Sequence, residues 1–167
     1  MTDSPSKRLG LLTIRRFIVV PSVLDETIGF LREAGADGCE GFVLWGGTSV
    51  SSEAFRFTSA LVPHQHAIKS EKGLLVYVDG EALFTINKTL HERQEILGGQ
   101  VHTHPSSAYH SSTDDHFPMV TVLGALSIVV PDFAKNAPND IGSWAWYRLQ
   151  DYGNWVPAGE DTEIEFE

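Results

Sequence analysis

His102-Thr103-His104 stands directly before Pro105, and after six further residues comes Ser112-Thr113-Asp114-Asp115. Residues two apart on a strand project to the same side of the sheet, so the two imidazoles can converge on one ion. Pro105 cannot donate to a sheet ladder and restricts the residue before it. The strand Gln100-Val101-His102, leaving Gly98-Gly99, is therefore expected to stop there, with its ligands facing a cleft. Ser112 to Asp115 has the Ser-x-x-Asp form of a helix start, which predicts that the Asp115 carboxylate returns toward the histidines from the first turn of a new helix. Two neutral imidazoles and one carboxylate make a three-ligand site for one zinc ion per chain, with the fourth position open to water. That open position separates catalytic from structural zinc, and the chemistry expected is metal-assisted hydrolysis.

The elements that position these groups read in an α/β order. Phe17 to Val20 is expected to be a strand, followed by an amphipathic helix from Pro21 to Ala34 with Leu24, Ile28 and Leu31 at helical spacing and Gly35 past its end. Strands are expected at Glu40 to Trp45, Ala54 to Val62 and Leu74 to Val78. A second helix, Glu81 to Ile96, is predicted to turn Leu83, Phe84, Leu90 and the following Leu97 inward and to end at Gly98-Gly99. Leu126 to Val130 reads as a strand stopped by Pro131, residues 132–143 as a loop, and Trp144 to Leu149 as the last strand.

Composition bounds the rest. A chain of 167 residues with 42% apolar content fits one globular domain with a full core, placed over residues 8–157. Glu160, Asp161, Glu163, Glu165 and Glu167 make residues 158–167 an acidic tail, expected to be solvated and mobile. The formal net charge of −10 opposes a nucleic-acid partner, because duplex binding draws its affinity largely from Lys and Arg neutralising phosphates. No stretch approaches the roughly 18 apolar residues of a membrane span, and the N-terminus is polar, so a soluble, cytoplasmic protein is expected. Cys39 is the single cysteine, which excludes an internal disulfide and the Cys-rich zinc patterns, including that of the nucleobase deaminases. Beside Glu40 it is better read as a small buried strand residue than as a nucleophile.

Taken together, these segments resemble the JAMM-motif metalloproteases of the MPN-domain class, whose pattern is an upstream Glu, then His-x-His-Pro, six or seven residues, then Ser-x-x-Asp. The upstream Glu falls on Glu40, which opens Glu40-Gly41-Phe42-Val43-Leu44-Trp45-Gly46-Gly47. The resemblance implies that His102, His104 and Asp115 bind zinc, that Glu40 takes the proton of the attacking water, and that Ser112 helps hold the tetrahedral intermediate. It implies a three-layer MPN-domain fold, similar to that of cytidine deaminases, with a curved mixed β-sheet flanked by helices. The match extends from about Phe17 to Trp155, and one departure is Gly99-Gln100-Val101, where many eukaryotic members carry Gly-Trp. Compact, prokaryotic-looking members resemble proteases encoded beside ubiquitin-like proteins and their activating and conjugating enzymes, including those of antiviral defence operons. The substrate so implied is a ubiquitin-like modifier or its conjugates, cut after the modifier's C-terminal glycine. Alternatives are a peptidase maturing a sulfur-carrier protein and a non-catalytic MPN-type scaffold. Related DNA-repair-associated proteins with a similar His-x-His-Pro motif are disfavoured by the charge and by the lack of a helix-hairpin-helix region.

Each piece also has a plainer reading. Ser-x-x-Asp alone is a common helix cap, and a lone His-x-His carries little information. Glu40 alone is a strand-edge carboxylate, so the joint pattern carries the assignment. His64-Gln65-His66 repeats the two-apart spacing, but no Cys, Asp or Glu stands nearby at ligand spacing, and it is read as a loop. His110 and His116 are expected to orient Asp115, to line the cleft, or to be surface loop residues. An extended substrate is expected to pair with a sheet edge near Phe42 to Trp45.

Overall fold

A computed structural model describes residues 10–109, 119–151 and 153–167. The chain is a mixed α/β structure. Its strands are β1 (Arg16–Val19), β2 (Phe42–Ser49), β3 (Ala54–Leu61), β4 (His66–Ser70), β5 (Gly73–Tyr77), β6 (Ile96–Thr103), β7 (Leu126–Val130), β8 (Ala145–Leu149), β9 (Trp155–Pro157) and β10 (Glu163–Phe166), and its helices are α1 (Pro21–Ala36) and α2 (Gly80–Glu92). Eight strands form one sheet in the order β10-β1-β3-β2-β6-β7-β8-β9, while β4 and β5 make a separate hairpin. The β6 strand runs antiparallel to β2 and parallel to β7, so the strand carrying His102 is held on both sides. The sheet curls until its ends approach each other. Trp146 of β8 meets Phe166 of β10 with ring centroids 6.2 Å apart, and the Arg148 guanidinium lies 5.1 Å over the Phe17 ring of β1. Arg148 is buried and donates to the carbonyls of Leu11, Ile14 and Gly124 at 2.7, 2.8 and 3.1 Å. Burial lowers its pKa, with Asp161 opposing.

Pro21 at the first helical position starts α1, because its missing N–H is unused there. Val23, Thr27, Ile28 and Leu31 are the buried residues of α1, and Thr27 accepts a hydrogen bond from the Trp45 indole at 2.8 Å. The Asp79 side chain caps α2 through the Ala82 N–H at 2.8 Å. No helix among the described residues is long and apolar enough to cross a membrane.

Several expectations are corrected. The second helix stops at Glu92, and β6 begins at Ile96, so Gly98 and Gly99 lie inside the strand that carries His102 rather than before it. A Cβ at Gly98 would come within 2.9 Å of the Phe55 ring, and one at Gly99 within 3.3 Å of the Phe57 ring. These glycines give room to aromatic side chains of β3; they do not end a helix. Trp45 pairs with Gly99 and Gly46 with Leu97, which leaves Gly98 as the extra residue of a bulge. Phe84, expected inside, is 69% exposed because α2 buries Ala82, Ile86 and Leu90, a stripe that excludes it. Gly35 lies within α1, and Cys39 is half-buried ahead of β2 rather than in it.

Trp144 to Leu149 is not the last strand. The segment expected to be a mobile acidic tail contains β10, which pairs in parallel with β1 from Arg16↔Glu163 to Val19↔Phe166. Its glutamates alternate with Ile164 and Phe166, which pack against the core, while Glu165 and Glu167 meet Arg16 and Arg56 at 3.3 and 2.6 Å. The alternation, hidden in an acidic composition, is that of a half-buried strand.

Candidate metal centre

The geometry brings His102 and His104 together at the C-terminal end of β6. Both are buried, 4% and 5% exposed, with their Nε2 atoms 3.2 Å apart. A tetrahedral ion with Zn–N distances of about 2.0–2.1 Å holds two ligand nitrogens roughly 3.3 Å from each other, so the pair has the bite the expected metal requires. The His102 ring stacks on Phe42, its partner across the β2–β6 pair, at 6.0 Å and 14°, and His104 meets Tyr109 edge-on at 4.6 Å. These aromatic contacts limit the rotamers that each imidazole can adopt.

Glu40 lines the same cleft, which has a volume of about 280 Å³ and is walled on another side by Gly73 to Val76 of the hairpin. The carboxylate stands just before β2. The backbone next to it is tied to Thr103, the residue between the two histidines. The Thr103 hydroxyl accepts the Gly41 N–H at 3.0 Å, and the Thr103 N–H donates to the Gly41 carbonyl at 3.2 Å. Alternation sends Thr103 to the opposite side from its two neighbours, so one tripeptide both presents the imidazoles and anchors the backbone next to Glu40. Sequence reasoning assigned Thr103 no role; its position between the histidines was the available signal.

Ser112 and Asp115, with His110, His116 and the helix expected to start at Ser112, lie outside the described residues. Among the described residues no group of three or more His, Cys, Asp or Glu side chains is positioned to hold a metal ion. Among the described residues, the two imidazoles are the nitrogen donors that converge in this cleft, and Glu40 lines it with them.

His64 and His66 are exposed and in edge-on contact at 4.8 Å. Between them Gln65 turns inward, where its carboxamide accepts the Phe42 N–H and donates to the Phe42 carbonyl, both at 2.9 Å. The side chain thus completes the ladder of β2 where β3 does not reach, since pairing with β3 begins at Leu44↔Leu61. This corrects the expected docking edge: Phe42 to Trp45 belongs to an internal strand, and its one open backbone position is taken by Gln65.

A second support was not foreseen. After Pro131 the backbone makes a left-handed turn through Asp132, Phe133 and Ala134, with φ of 52°, 52° and 59°. No residue of the three is glycine, and each non-glycine residue in this region costs about 1–2 kcal/mol. The turn folds back on the site: Phe133 N–H donates to the His104 carbonyl at 2.9 Å and Asp132 N–H to the Ser106 carbonyl at 3.0 Å, while His104 N–H donates to Val130 at 3.0 Å. Backbone strain held in place by hydrogen bonds to a functional segment is characteristic of sites where geometry is fixed in advance.

No family model matches the chain. A similar fold occurs in protein DSY2949 from Desulfitobacterium hafniense, a solution structure that superposes with a TM-score of 0.64 at 13% identity over 90% of this chain and 92% of that one. The likeness extends to sequence in the probable metalloprotease y4jG of Sinorhizobium fredii, 38% identical over 152 residues that span 89% of this chain and 93% of that protein. With that identity over nearly the full length of both proteins, and with two buried imidazoles at metal-binding separation, the chain belongs to the metalloprotease family of y4jG.

Proposed function

We propose that the chain is a zinc peptidase of the JAMM type on an MPN-domain fold, acting as a single catalytic domain. The observation that carries the reading is the 3.2 Å approach of two buried imidazole nitrogens at a strand end, in a cleft that Glu40 also lines. His102 and His104 would hold the metal with Asp115 as third ligand, and one zinc ion per chain, when bound, would supply Lewis acidity toward the scissile carbonyl and toward the attacking water. Glu40 accepts the proton of the attacking water and delivers it to the leaving amine, so the amide is cleaved without a covalent enzyme intermediate. Ser112 donates to the developing oxyanion.

The substrate we propose is the C-terminal tail of a ubiquitin-like protein, fused or conjugated to a target, within a bacterial conjugation system that also contains activating and conjugating enzymes and serves antiviral defence. Support for an extended tail comes from β5. Among the described residues this strand pairs only with β4, and Gly73 to Val76 border the cleft. An edge strand beside a catalytic site can take an extended peptide as an added strand through main-chain hydrogen bonds. A glycine-rich tail has the slender backbone such a groove admits.

The test incubates the enzyme with a ubiquitin-like protein encoded beside it, carrying a C-terminal extension, and reads the product masses. Cleavage directly after the terminal glycine is expected, lost with chelator and unaffected by serine-protease or thiol reagents. Internal cleavage, or equal turnover of unrelated unfolded peptides, removes the modifier from the account.

A further inference from the structure

We infer that Arg32 and Gly35 of α1 are positioning residues for His104, acting through the left-handed turn at Asp132–Ala134. The inference rests on the reading of His104 as a metal ligand. Arg32 Nε donates to the Ala134 carbonyl at 3.1 Å, and a second guanidinium nitrogen donates to the Ala137 carbonyl. One rigid planar group thus engages the exit of the turn at two points, a contact that lysine, with its single ammonium, cannot reproduce.

Gly35 supplies the second support. A Cβ at this position would lie 2.5 Å from Phe133 Cβ and 2.9 Å from the Phe133 carbonyl oxygen. The absence of a side chain therefore lets α1 press directly on the central residue of the turn. Ala134 and Ala137, whose carbonyls Arg32 engages, are fully buried. The turn in turn binds the site backbone, since Phe133 and Asp132 donate to the carbonyls of His104 and Ser106. Both backbone polar groups of His104 are consequently fixed by residues 130–133, which sets the direction of its Cα–Cβ bond, while Tyr109 packs against the ring. Released from α1, three non-glycine residues relax toward negative φ, which withdraws the Phe133 N–H from His104. Supporting residues of this kind are commonly as important to metal affinity as their distance from the ion is misleading.

The test measures zinc affinity of the full chain, stripped of metal, by competition with a chromophoric chelator, alongside the urea midpoint and the kcat and KM of each variant. Arg32→Met is expected to weaken zinc binding by about 10- to 100-fold and to lower kcat with little change in KM. Arg32→Lys falls between it and the wild type, and Gly35→Ala moves in the same direction. Asp132→Gly added to Arg32→Met restores part of the affinity, because glycine adopts positive φ without the strain that the contact with Arg32 offsets. Zinc affinity within twofold of wild type in Arg32→Met overturns the inference, whatever the urea midpoint. Should Arg32→Met fail to fold, the same criterion applied to Arg32→Lys decides. Loss of affinity that Asp132→Gly does not restore overturns the route through the turn. His104→Ala separates the two levels: if it binds zinc as the wild type does, the ligand reading fails, whereas zinc lost there but kept in the Arg32 variants removes only the positioning role.

Discussion

Glu40→Gln is expected to hold its metal and its fold while losing about 10²- to 10⁴-fold in hydrolysis, the range that a positioned general base supplies. The substitution is nearly isosteric and deletes only the ability to take a proton. The backbone at Gly41 stays tied to Thr103 through two hydrogen bonds that do not involve the carboxylate. Metal content, the urea midpoint and kcat are the three readouts. Metal lost in Glu40→Gln makes Glu40 a ligand, and full turnover retained moves the base to another group. Ser112→Ala is the useful contrast, since loss of one oxyanion donor costs on the order of 10²- to 10³-fold and leaves the metal in place.

The second large effect concerns the ligands. His102→Ala and His104→Ala are each expected to reduce zinc from about one ion per chain to near zero and to abolish activity with it, because two remaining protein donors hold a catalytic zinc poorly. The double substitution of His64 and His66 by Ala is expected to leave both quantities near wild type. Those rings are exposed and touch only each other among the described aromatic contacts, and the inward role in that segment belongs to Gln65. Metal analysis of the purified variants decides between the pairs. Zinc stripped by the His64/His66 double variant, and retained by His104→Ala, reverses the site assignment.

How far the sequence reaches depends on whether local pattern or tertiary contact determines each feature. The histidine pair was legible because alternation along a strand and the stop at Pro105 are local properties, and β6 places the two imidazoles as that reasoning requires. The α1 helix was legible from its apolar spacing and from Pro21, and β7 from an apolar run stopped by Pro131; β3 also falls where a strand was expected. The β4 strand was not, because all five of its residues are exposed and it shows no alternation to detect. Gly98 and Gly99 misled for the opposite reason: the signal was real, but the Phe55 and Phe57 rings that explain it come from a strand about forty positions earlier. β10 was hidden by charge, since Ile164 and Phe166 carry the strand pattern inside a run that reads as a solvated tail. The turn at Asp132–Ala134 carries no glycine to announce positive φ, and what holds it is distant in sequence: Arg32 and Gly35 of α1 and the carbonyls of His104 and Ser106. The expected substrate edge at Phe42 failed because side-chain capping by Gln65 is a long-range event with no local signature.

The central claim is that His102 and His104 share one catalytic metal ion. Its most direct test is anomalous scattering at the zinc edge from crystals of the purified, metal-loaded protein. A single strong peak about 2.0–2.1 Å from both Nε2 atoms is the predicted result. A peak at His64 and His66, or a His102–His104 pair hydrogen-bonded to itself with the metal elsewhere, contradicts it.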